Sequence, residues 1–164
     1  MSSLETNPIP EGMHSLTPHL WFNGNCKSAI EFYQRAFSAE LLSPAAFDSK
    51  NELVCHAMLH IGDSNLLLAD AWPNSHEQGP KGFSSAGMWL YVRDCDAVFA
   101  QAVSAGCEVI MPLMDAFWGD RMGKVKDPFG HTWAIATHKH AASEDEIQRG
   151  MKEWEHGMRH QGCC

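Results

Sequence analysis

Laid over itself at an offset of 68 residues, the segment 20–44 falls on 88–112 without a gap. Trp21 meets Trp89, Ala29 meets Ala97, Ile30 meets Val98, Glu40 meets Glu108, Leu41-Leu42 meets Val109-Ile110, and Pro44 meets Pro112. Farther on the match resumes one residue out of step, with 66–69 against 133–136. Identities are few, but residue types agree throughout. A duplicated unit of this kind constrains the fold more than any single motif, because every element assigned to one copy must have a counterpart in the other.

Within the first copy, 15–22 alternates as a strand does. Ile30, Tyr33 and Phe37 place a helix over 27–37. A second strand is predicted over 40–47, and two more over 53–61 and 65–72, closed by the tight-turn pair Gly62-Asp63. The second copy repeats the order. Strand 87–92 is followed by helix 96–105, which Gly106 stops. Strand 108–112 precedes a hairpin of 121–126 and 132–137 over Asp127-Pro128-Phe129-Gly130. Each copy is therefore βαβββ, and the predicted class is α+β. The predicted domain spans 13–140, as modules 13–78 and 85–140. Each module has one apolar sheet face to bury, so packing the two makes a curved, barrel-like sheet with helices outside and a ligand cleft between.

Beyond this domain, Ser143 and Glu146 form a capping-box pattern opening a helix over 143–160. Ile147, Met151, Trp154 and Met158 fall on one of its faces. The helix serves either as a lid on its own domain or as a dimer contact.

Composition narrows the partners. The 164 residues carry 20 acidic and 12 basic side chains, a net charge of −8, with no basic cluster, which argues against a phosphate backbone as ligand. No apolar run approaches the roughly 18–20 residues that span a bilayer, so no membrane partner is expected. No basic-then-apolar leader opens the chain, and the six cysteines, four scattered singly and Cys163-Cys164 at the end, have no CxxC pair and read as reduced and mostly buried. The expected location is the cytoplasm.

Two runs carry a resemblance. Pro18-His19-Leu20-Trp21-Phe22-Asn23-Gly24-Asn25-Cys26, followed by Ala29-Ile30-Glu31-Phe32-Tyr33, resembles the opening of a glyoxalase/bleomycin-resistance/dioxygenase domain, the vicinal oxygen chelate (VOC) superfamily. Phe117-Trp118-Gly119-Asp120-Arg121, then Asp127-Pro128-Phe129-Gly130-His131-Thr132-Trp133, is similar to its PhnB-like branch. The resemblance implies the paired βαβββ fold, a homodimer, and either a metal enzyme or a metal-free protein that sequesters small molecules. In the enzymes a divalent ion acts as a Lewis acid, held by His or Glu from the first and last strands of each module. Carried onto this sequence, those positions fall between Thr17 and His19, between Leu67 and Asp70, at Gly87 beside Met88, and at Ala134. At best His19 and Asp70 remain, fewer than the three protein ligands of a catalytic metal.

The resemblance thus implies a small-molecule-binding protein with an aromatic cleft, a degenerate metal site and no cofactor. The alternative is a metal-dependent lyase, isomerase or dioxygenase acting on vicinal oxygens, with a divalent ion on His19, His56 or Asp70 in an altered arrangement. A third class is a structural or regulatory dimer with no ligand. The candidate substrate-binding residues are His19, Trp21, His56, Asp70, Trp89, Phe117, Trp118, Asp120 and Arg121. His56 and His60 share a strand face, with Asp70 on the partner strand expected to orient His56. Trp21 and Trp89, equivalent in the repeat, are expected to face the same way, as core filling or as a stacking platform for a planar or cationic ligand. Asp120 beside Arg121 reads either as an ion pair or as part of the cleft. His138 and His140 read as surface histidines.

Overall fold

The computed structural model describes residues 7–160, without the side chains of 158–160, so the sequence assignment of Met158 lies outside the described residues. The element order is β1 (His19–Phe22), α1 (Cys26–Phe37), β2 (Glu40–Leu41), β3 (Ala46–Phe47), β4 (Val54–Ile61), β5 (Ser64–Asp70), β6 (Gly87–Tyr91), α2 (Cys95–Ala105), β7 (Glu108–Asp115), β8 (Asp120–Lys126), β9 (Thr132–His138) and α3 (Glu144–His160). The class is α+β. Two sheets share one topology: β1-β5-β4-β2, with β3 also on β4, and β6-β9-β8-β7. In both, the first strand runs parallel to the last, so the duplication is written into the hydrogen bonding.

The chain divides into two compact units. One runs to Ser85 and includes the turn Pro128–His131; the other holds Ala86–Asp127 and the chain from Thr132 onward. In the first, Leu20 and Phe22 are buried with Tyr33 and Phe37 of α1 and with Leu59, Leu66 and Leu68. Phe129 stands edge-on to Phe22 and Phe32, at 5.7 Å from each. In the second, Phe99 of α2 packs so tightly on β8 that a Cβ at Gly123 would lie 2.6 Å from its ring.

Three strands differ from the sequence expectation, two of them at a proline. The predicted strand 40–47 is two short pairings, since Pro44 has no N–H to give a ladder. By contrast β7 runs through Pro112 to Asp115, because it is an edge strand and shifts register on either side of Met111. The first strand is also shorter than predicted, beginning at His19.

Both helices start on a polar side chain from their module's last strand. Asn25 makes no side-chain cap on α1. Instead Asp70 Oδ1 accepts the N–H groups of Gly24 (2.8 Å) and Cys26 (3.0 Å). In the second module Thr137 Oγ1 accepts the Cys95 N–H at 2.9 Å, and Asp94 caps Ala97. Helix α3 opens on the expected box, Glu146 accepting from the Ser143 N–H and hydroxyl, both at 2.7 Å. A Cβ at Gly150 would overlap Phe117, so only a glycine lets α3 lie on that ring. Met151 and Trp154 of α3 are exposed. No helix among the described residues is long and apolar enough to cross a membrane.

Candidate functional site

Strand alternation gives each sheet a face toward its helix and a face away from it. In the second unit Gly123 packs on α2 and pairs with Ile135, which pairs with Leu90. The opposite face therefore carries Trp89 and Tyr91 from β6, Ala134, Ala136 and His138 from β9, and Asp120, Met122 and Lys124 from β8. Trp118 reaches this face from the loop before β8, packing on a small cluster of Ala116, Met122, Ala134 and Ala136.

Asp120 is the centre of the face. It is 3% exposed. Its Oδ2 accepts the Tyr91 hydroxyl at 2.8 Å and the Trp118 indole N–H at 2.9 Å. Its Oδ1 accepts from His138 Nδ1 at 2.8 Å. Burial alone pushes the Asp120 carboxyl upward, but the His138, Tyr91 and Trp118 donors outweigh it and hold it below the ordinary carboxylate range. The same bond to Asp120, with a smaller contribution from burial, raises the Tyr91 phenol, opposed by a hydrogen bond with Trp89. Four rings, Tyr91, Trp89, Trp118 and Phe117, follow one another beside this carboxylate. Trp89 lies 6.2 Å from Tyr91 and 6.5 Å from Trp118, tilted 41° and 55°. Phe117 meets Trp118 edge-on at 4.9 Å. Although Asp120 is buried, Trp89 is 45% and Tyr91 58% exposed.

The predicted residues thus separate into groups. Trp89, Phe117, Trp118 and Asp120 come together. Arg121 does not join them: one residue along the strand, it points to the α2 side and is gripped by Asp96 at 2.7 and 2.8 Å and by Asp115 at 3.2 Å. Those two carboxylates push its guanidinium pKa upward. Gly119 does admit a close backbone approach, but from the chain itself: its φ is +99°, a Cβ there would overlap the His140 carbonyl, and its own carbonyl accepts from Lys139 and His140.

In the first unit His19 stacks on Trp21 at 4.3 Å. Partial burial lowers the His19 pKa, the nearby His56 lowers it further, and Glu77 opposes both. His60 is held by Asn65 at 2.8 Å. Asp70 corrects the expectation that it orients His56. Ala57 pairs with Leu68, so Asp70, in phase with Leu68, lies on the helix side, while His56 is out of phase with Ala57 and lies on the other. Asp70 is 2% exposed and accepts backbone N–H groups, Val54 on Oδ2 at 2.9 Å besides Gly24 and Cys26 on Oδ1. The repeat also needs a correction. Ala69 pairs with Trp21, and its counterpart Ala136 pairs with Tyr91, so Tyr91 takes the register place of Trp21. A slip of two residues preserves the face, and Trp21 and Trp89 both point away from their helices.

A model of the Glyoxalase/Bleomycin resistance protein/Dioxygenase superfamily matches residues 16–135. The chain belongs to that superfamily. An uncharacterised protein of Mycobacterium bovis is 38% identical over 143 residues, covering 84% of this chain and 91% of its own. Among solved structures, a Pseudomonas aeruginosa protein superposes with a TM-score of 0.60 at 28% identity, over 77% of this chain and 99% of that one. A PhnB protein of Bacillus cereus, 20% identical, shares the fold with a TM-score of 0.61, over 76% of this chain and 99% of its own.

Superfamily members often use a divalent ion, and this donor set does not fit one. Gly87 and Ala134, where the resemblance puts two of the ligands, carry no donor for a hard cation, and Asp70 is turned to the helix side. Among the described residues no three His, Cys, Asp or Glu side chains are grouped to hold a metal. The thiols fit no better: burial raises Cys26 and Cys107 to about 12.

Proposed function

We propose that this chain binds a small, flat, cationic organic molecule against the Trp89–Tyr91–Trp118 face of its second module, without a metal cofactor. The observation that supports this reading is the Asp120 cluster. A buried carboxylate holds the phenol and an indole by their polar ends, while Tyr91 and the adjacent Trp89 remain about half exposed. Rings fixed in this way lose little entropy on binding, and a cation over an aromatic face gains about 0.5–2 kcal/mol. The net charge of −8 attracts the same class of ligand. The reading extends to a cytoplasmic homodimer. In its support, the described cysteines are free thiols, and apolar side chains are exposed on α3 (Met151, Trp154) and on edge strand β7 (Val109, Ile110).

Titration with proflavine, a flat cation, followed by tryptophan fluorescence and by thermal shift, tests it. Saturable binding should weaken about fivefold to tenfold in Trp89→Ala, as expected for losing roughly 1 kcal/mol of ring contact. Stoichiometric nickel, zinc, manganese or iron in the purified protein, lost on changing His19 or His56, overturns the metal-free reading.

A further inference from the structure

His138 does more than end a strand. It pairs directly with Asp120 across β8 and β9, its side chain 59% exposed where that of Asp120 is 2% exposed. The other two donors hold Oδ2, so the carboxylate that receives Nδ1 is locked in place. A carboxylate oxygen offers only lone pairs, so the hydrogen in the 2.8 Å contact belongs to Nδ1. In the neutral ring the lone pair then lies on Nε2, at the far side of the imidazole from the buried acid.

The geometry points to His138 Nε2 as a proton acceptor for a flat organic molecule that bears an acidic hydrogen and lies on the adjoining rings, with Asp120 as its positioning residue. An orienting carboxylate fixes the tautomer and stabilises the imidazolium that forms on proton transfer. The Tyr91 hydroxyl and the imidazole bind the two oxygens of one carboxylate, which places the base beside the aromatic face. This inference rests on the proposal that the face binds a flat ligand. It adds chemistry that needs no metal.

The probe is 5-nitro-1,2-benzisoxazole, a flat carbon acid. Its C3–H proton passes to Nε2, the C–H electron pair completes a nitrile, and the N–O bond breaks with its pair on the phenolate oxygen. His138 then returns the proton to water. Wild-type protein is expected to exceed free imidazole per molecule. His138→Gln should lower kcat about a hundredfold, the scale of general-base catalysis, with KM kept. Trp89→Ala should raise KM with kcat kept, and His14→Gln, at an exposed histidine remote in sequence, should change neither. If Trp89→Ala leaves KM alone while His138→Gln abolishes the rate, the dyad stands and the stacking proposal fails. A wild-type rate no better than imidazole, or an unimpaired His138→Gln, overturns the dyad. Carbethoxylation read by mass spectrometry gives a second measure on unmutated protein. His138 should be modified faster than His14, and equal rates count against a tautomer-locked Nε2.

Discussion

Changing Asp70 separates a backbone pin from a ligand-reading residue. Asp70→Ala removes the acceptor of three N–H groups, and the bonds from Cys26 and Val54 are buried. Each orphaned buried donor costs about 1–3 kcal/mol, so those two together cost about 2–6 kcal/mol, and the exposed Gly24 adds less. Set against a typical total of about 5–15 kcal/mol, this is a large share of the folding free energy. Asp70→Asn is the finer probe. Its single amide oxygen can keep Gly24 and Cys26, as Oδ1 does now, but the amide nitrogen then faces the Val54 N–H, donor against donor. The expected cost is about 1–3 kcal/mol. Urea unfolding followed by far-ultraviolet circular dichroism reads the loss as a lower midpoint at unchanged slope. Proflavine titration of the folded variant should match wild type. Wild-type stability combined with weakened proflavine binding would refute the reasoning, because Asp70 would then be reading a ligand.

Gly150→Val should lift α3 from Phe117, since no Cβ fits there. Limited proteolysis within 142–150 should accelerate while the unfolding midpoint of the remainder stays put, and an unchanged cleavage rate refutes the docking. A third expectation concerns pH. The Asp120 carboxyl lies below its ordinary range, so its contribution is present above the unfolded value of about 4 and is lost as pH falls through the folded value. The midpoint gap between wild type and Asp120→Asn should be full at neutral pH and shrink below pH about 4; a gap constant down to pH 3 contradicts the cluster.

The fold was legible because period and punctuation survive duplication even where identities do not. Residues 30, 33 and 37 keep their helical spacing, and Gly106 keeps its stop. The site was harder because its parts come from three strands and a loop. His138 was within reach of the sequence: the hairpin over 127–131 sets 126 against 132, and counting back sets 120 against 138. Tyr91 was hidden by the slip of two, which no residue-by-residue alignment registers. Asp70 went to the wrong side because sharing a hairpin with His56 is not sharing a face; only the pairing of Ala57 with Leu68 decides that. Arg121 misled for the same reason, being adjacent to Asp120 in sequence and opposite to it in space.

That alternation has an evolutionary consequence. Along β9, Trp133, Ile135 and Thr137 serve the helix side, while Ala134, Ala136 and His138 interleave with them on the face that carries the Asp120 cluster. A paralogue can change the letters of one face and leave those of the other alone, but here Ala134 and Ala136 also seat Trp118, so a larger or charged residue at either must displace that ring.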